Sequence, residues 1–96
     1  MDIASLTQAY KVNEYEVEIN ASNRGSLATV VWHTEGEVEK TVGITHTHNN
    51  TTYKLLTLDF NGKDLIYSVD GFIGLYVGDK ISVTCSEKAD IIITIK

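Results

Sequence analysis

Proline is absent from this chain, and cysteine and arginine occur once each. Without proline, no strand edge carries that guard against unwanted pairing. The single cysteine, Cys85, excludes an intramolecular disulfide and a multi-cysteine zinc site, so packing alone must hold the fold. With Arg24 as the only guanidinium and a formal net charge of -5, a phosphate-gripping surface is hard to assemble, and nucleic acid is not an expected partner. No apolar run approaches the roughly 18 residues of a membrane helix, and Met1 to Ser5 shows no basic region leading into an apolar stretch. A soluble chain without a membrane or secretion segment is expected. A mature secreted protein or a virion component would read the same way.

What is present is enough apolar material for one core. The 96 residues are 43% hydrophobic and 22% charged, which fits one small domain and lies outside the composition of disordered chains. The acidity is uneven: residues 1–48 carry seven acids against three bases, and residues 49–96 carry six against five.

Period-two alternation dominates, most clearly from Tyr53 onward. In the segment 79–86, Ile81, Val83 and Cys85 alternate with polar residues, and in 90–96 Ile91, Ile93 and Ile95 do the same, which predicts two strands with one buried face each. Ile92 breaks the polar face of the last strand. Asp70-Gly71, between 65–69 and 72–77, has the chemistry of a type I′ hairpin turn, and Asn61-Gly62, Gly78-Asp79 and Glu87-Lys88-Ala89 read as further turns. In the front half, residues 12–20 predict a strand with Tyr15, Val17 and Ile19 inward and Glu14, Glu16 and Glu18 outward. Residues 27–34 and 38–45 follow as hairpin partners about Glu35-Gly36, and 45–52 as a polar loop. The expected architecture is all-β: an antiparallel β-sandwich (jelly-roll or Ig-like) or small barrel of about eight short strands. Residues 1–10 fit neither period and predict an N-terminal arm ahead of a single domain over 11–96.

Catalytic chemistry finds little support. There is no Gly-x-Ser-x-Gly elbow and no glycine-rich phosphate loop, and Cys85 falls in an apolar register where a thiol is inert. No enzyme and no cofactor are expected. His46 and His48 would share one face of a continuing strand, but a metal needs a third ligand, and whether His33 converges on them is not legible, so no metal is assigned. The rows Glu14, Glu16, Glu18 and Glu35, Glu37, Glu39 call for cross-strand lysines, solvent or a basic partner surface.

Two function classes fit these residues. One is a non-enzymatic structural protein that self-associates or docks on a protein partner, such as a capsid lattice. Phage capsid decoration, head-fibre and tail components are small stand-alone β domains of this size. Its candidate interface residues are Ile3, Leu6, Tyr10, Phe72, Tyr76 and Ile92: an unpatterned arm, a segment at 72–77 that is apolar on both faces, and the odd isoleucine of the last strand. The alternative is a carbohydrate-binding or adhesion module that stacks a glycan on Trp32, Tyr53, Tyr67, Phe72 and Tyr76 beside the loop His46 to Thr52.

Overall fold

The computed structural model describes residues 7–22 and 24–96. Strands β1 (Thr7–Asn20), β2 (Gly25–His48), β3 (Thr51–Ser68) and β5 (Lys80–Ile95) form one open antiparallel sheet in the order β1-β5-β2-β3. The short β4 (Gly74–Leu75) pairs with the start of β2 at Gly25 and Ser26.

One line of register shifts crosses all four long strands of the sheet. β2 and β5 pair from Thr29/Thr94 to His33/Asp90 and again from Val42/Cys85 to Thr47/Lys80, with a register shift between. The β2–β3 ladder shifts between His33 and Val38, and the β1–β5 ladder between Lys11 and Glu16. Extra residues without ladder partners bend and twist a strand. The buried Thr34 holds this corner: its hydroxyl lies within hydrogen-bond distance of the Gly36, Gly62 and Lys63 carbonyls. The ammonium of Lys40, also buried, donates to Thr34 Oγ1 and to the Val38 carbonyl at 3.2 Å each and to the Gly62 carbonyl, and it lies over the Phe60 ring.

The bend folds the sheet onto itself. Trp32 pairs with Ile91, yet its indole Nε1 donates to the carbonyl of Thr84 at 3.1 Å. Along a straight strand those β5 residues would stand about 23 Å apart, far beyond the reach of an indole. Val30, Trp32, Ile91 and Ile93 on one side of the corner and Val42, Ile44, Ile81 and Val83 on the other therefore share one core, and all are essentially inaccessible.

All-β antiparallel construction is as expected, and so are the inward faces Ile81, Val83, Cys85 and Ile91, Ile93, Ile95. The layout differs. In place of two packed sheets or a closed barrel of about eight short strands, there is a single sheet built on four long strands. Glu35-Gly36, Asn61-Gly62 and Glu87-Lys88-Ala89 lie within β2, β3 and β5, at or beside the corner, where their turn chemistry serves a bend and not a reversal. Asp70-Gly71 starts no hairpin: β3 ends at Ser68 and the next segment runs on beside the start of β2 into β4, with Val69 donating to the Ala28 carbonyl and Leu27 to the Ile73 carbonyl, each at 3.0 Å. The expected two-faced strand over 72–77 is thus mostly loop, with Leu75 buried and Phe72, Tyr76 and Val77 exposed. The expected polar loop 45–52 is a tight hairpin, because Asn49 and Asn50 both take left-handed backbone (φ 49° and 61°). Tyr15, expected inward, is exposed beside the register shift of β1. β1 begins at Thr7, within the stretch expected as an arm.

Candidate functional site

Two surfaces concentrate unusual chemistry. The first lies at the open end of the core. Period two carries His46 and His48 to the inner face at the end of β2, where His46 stands opposite Ile81 and Tyr53. Gly78, in left-handed backbone (φ 91°), turns the chain into Asp79. The segment is pinned by Gly78 N–H on the Ala21 carbonyl (2.9 Å) and Ala21 N–H on the Asp79 carbonyl (2.8 Å).

Asp79 is buried and its carboxylate is fully used. Oδ2 meets His46 Nε2 at 2.8 Å and the Tyr76 N–H at 3.0 Å, while Oδ1 meets His48 Nδ1 at 2.7 Å. Burial pushes the Asp79 pKa up, but the Tyr76 N–H and the two imidazoles outweigh it and hold the carboxyl well below the ordinary carboxylate range. Rings extend from this centre: Tyr53 lies 6.4 Å from His46, Tyr76 lies 5.2 Å from His48, and the Arg24 guanidinium sits 5.1 Å from the Tyr76 ring centre. Thr47, Asn49, Asn50 and Val77 complete a shallow cleft beside it.

The imidazole nitrogens that face Asp79 are spent on its carboxylate, and no group of three His, Cys, Asp or Glu among the described residues is arranged to hold a metal ion. His33 does not join them. It sits on the outer face, hydrogen-bonded to Asp64. The cluster is thus a clamp that fastens the segment before β5 to the end of β2.

The second surface is the outer face of the half of the sheet that holds the chain's last strand turns. Tyr10 of β1 pairs with Ile92 of β5, Ile92 with Val31 of β2, and Val31 with Ile66 of β3. Directly paired residues point to the same side. Since Trp32, Ile91 and Ile93 fill the core, this row points away from it. The result is an apolar ladder across all four long strands, with Ile66 64% and Tyr10 55% exposed at its ends and Ile92 and Val31 half-buried between them. One flanking row is neutral and hydroxyl-rich: Gln8, Thr94, Thr29 and Ser68. The other carries charge: Asp90, His33 and Asp64.

The structure brings Tyr10 and Ile92 together, as neighbours in that ladder. Tyr76 belongs instead to the histidine cluster, and Phe72, 80% exposed, to the loop between β3 and β4. Ile3 and Leu6 lie outside the described residues. Of the proposed aromatic platform, Trp32 is wholly buried and Tyr67 half-buried, so neither can stack a ligand, while Tyr53 and Tyr76 are half exposed about the histidines. Sequence reasoning missed Val31, Ile66 and Asp79. Val31 and Ile66 alternate with inward Val30, Trp32, Leu65 and Tyr67 and so had a period-two signal, whereas Asp79 read only as turn chemistry. The expected answer to the glutamate row is partial: Ser82 donates to Glu16 at 3.2 Å and Lys80 pairs with Glu18 at 3.5 Å.

No helix among the described residues is long and apolar enough to cross a membrane. No family model matches the chain, and no curated protein matches it. Among solved structures, a distant structural similarity is found to the C-terminal domain of a structural protein from Sulfolobus turreted icosahedral virus, at 14% identity over 95% of this chain and 93% of that one, with a TM-score of 0.43.

Proposed function

We propose that this domain is a non-enzymatic structural protein that docks on other protein through the outer face of its sheet. The observation that supports the reading is the ladder Tyr10, Ile92, Val31, Ile66. A sheet face turned to solvent is ordinarily polar. Here an apolar row is continuous across four strands and rimmed by polar rows, which is the anatomy of a protein interface. A component of a virus particle, such as a capsid decoration, head-fibre or tail subunit, is the setting we favour, since a small β domain whose surface and not its chemistry is its product suits a lattice.

The test is native mass in extracts of the cells or particles that make the protein. The wild-type chain runs well above its 10.6 kDa, and Ile66→Asp and Ile92→Asp run as folded monomers. Equal native masses for all three would sink the reading.

A second reading rests on the rings around Asp79. Tyr53, His46, His48, Tyr76 and Arg24 form a run of stacking groups beside the polar cleft of Asn49 and Asn50, which suits a sugar ring. A glycan ligand shifts the Tyr53 and Tyr76 ring resonances while leaving the buried Trp32 indole unmoved. A glycan array blank with folded protein speaks against it.

A further inference from the structure

We infer that the occupant of the ladder is a second copy of this chain, packed face to face about a two-fold axis that runs along the ladder. The inference rests on the assembly reading above and adds the partner and the geometry.

The order of rows on this face carries the argument. On one side of the ladder stand acceptors, the carboxylates of Asp90 and Asp64 with His33 between them. On the other stand neutral donors, the hydroxyls of Thr94, Thr29 and Ser68 and the amide of Gln8. A two-fold axis lying along the ladder, between the two faces, reverses strand direction. It lays the acceptor row of each copy over the hydroxyl row of the other and each ladder residue over its own counterpart. An axis along the strands does not do this: through β2 it lays Asp90 over Asp64, carboxylate over carboxylate, and between β5 and β2 it sets Asp64 against β1 and no hydroxyl. The face is therefore self-complementary about the ladder axis, the condition for an isologous contact. Asp64 is 61% exposed along its side chain, so its second oxygen is open to a donor from the partner.

The contact is small. Four strands spaced about 4.8 Å and three rows about 6.7 Å apart outline roughly 400 Å² per copy, about half the ~800 Å² per partner of a standard interface. Dimerisation is thus concentration-dependent, and in a lattice it would be reinforced by other contacts.

Sedimentation equilibrium of the purified full chain from about 10 μM to about 1 mM reads the outcome. A monomer–dimer equilibrium is expected, lost in Ile66→Asp, tightened about three- to tenfold in Ser68→Lys, which faces Asp64 of the second copy, and weakened comparably in Ser68→Asp. Both positions are exposed strand residues, and unchanged far-UV dichroism establishes folding. A wild-type chain that stays monomeric at the highest concentration overturns the second copy as occupant, while the extract experiment still decides whether the ladder docks on a different protein. A dimer lost in Ile66→Asp but indifferent to both Ser68 variants overturns the two-fold geometry and leaves the assembly reading standing. A dimer indifferent to Ile66→Asp overturns both.

Discussion

Asp79 is the residue on which the open end of the core depends. Its pKa is held well below the value of 3.8 it has in an unconstrained chain, so the folded form binds protons less readily than the unfolded one. The contribution is present above that value and is lost as pH falls through it toward the folded pKa. The groups that face it are His46 and His48 from β2, the Tyr76 N–H from the preceding loop, and beyond Tyr76 the Arg24 guanidinium. Urea midpoints of the wild-type chain are expected to drop as the buffer is acidified below about pH 4. Asp79→Asn should be less stable at neutral pH and show a shallower acid limb; an acid limb of unchanged slope would refute the assignment. Lys40 is the other buried charge among the described residues, and its partners are the Thr34 hydroxyl and neutral carbonyls at the corner. Lys40→Met keeps the stem but removes the donor those carbonyls share, and it should cost about 1–3 kcal/mol in chemical denaturation. A variant as stable as wild type would show that water replaces the ammonium without loss.

At the scale of the element, the β2–β3 connection is the tightest in the molecule. Asn49 and Asn50 supply a two-residue turn with both residues left-handed, an arrangement glycine adopts at no steric cost. Asn50→Gly should stabilise the domain by a few tenths of a kcal/mol, whereas Asn50→Val, β-branched at positive φ, should destabilise it by about 1–2 kcal/mol. Thermal midpoints that move in the same direction for both would contradict the turn type. This hairpin also marks what could and could not be read from sequence. Alternation placed Ile81, Val83, Cys85, Ile91, Ile93 and Ile95 correctly, because the period of two depends only on which face is buried. Connectivity was not legible, because glycine and polar residues satisfy a bent strand as well as a reversed one. Glu35-Gly36 and Asn61-Gly62 therefore read as reversals where the chain runs on through a corner. Of the candidate interface, Ile92 stands out as the break in the polar face of the last strand and Tyr10 only as part of an unpatterned arm, and their pairing with Val31 and Ile66 depends on register, which a single strand does not reveal. Asp79 was hidden for a related reason: a turn residue and a buried clamp have the same local sequence.

At the scale of the whole molecule, the sheet is its own second layer. β2 and β5 pass through both sides of the corner, and neither half can bury its apolar face without the other. Loss of one half would expose the core of both, so unfolding should be a single cooperative transition. Trp32 reports on this directly, because its side chain crosses from one half to a carbonyl of the other. Its fluorescence and the far-UV dichroism of the strands should therefore share one urea midpoint. If Trp32 became exposed before the strands were lost, the halves would be parting as rigid layers. The same topology sets the rate. The pairing of Thr7 with Ile95 joins the two ends of the described chain, and β5, last in sequence, lies between β1 and β2. One of the two inner strands thus pairs with the first strand in sequence, and loops nearly as long as the described chain must close before the core can form. Refolding in the millisecond-to-second range typical of non-local β topologies is expected by stopped-flow Trp32 fluorescence. With no proline in the chain, no isomerisation phase of tens of seconds should follow it. A slow phase that grows with protein concentration would instead report association, and its disappearance in Ile66→Asp would trace it to the outer ladder.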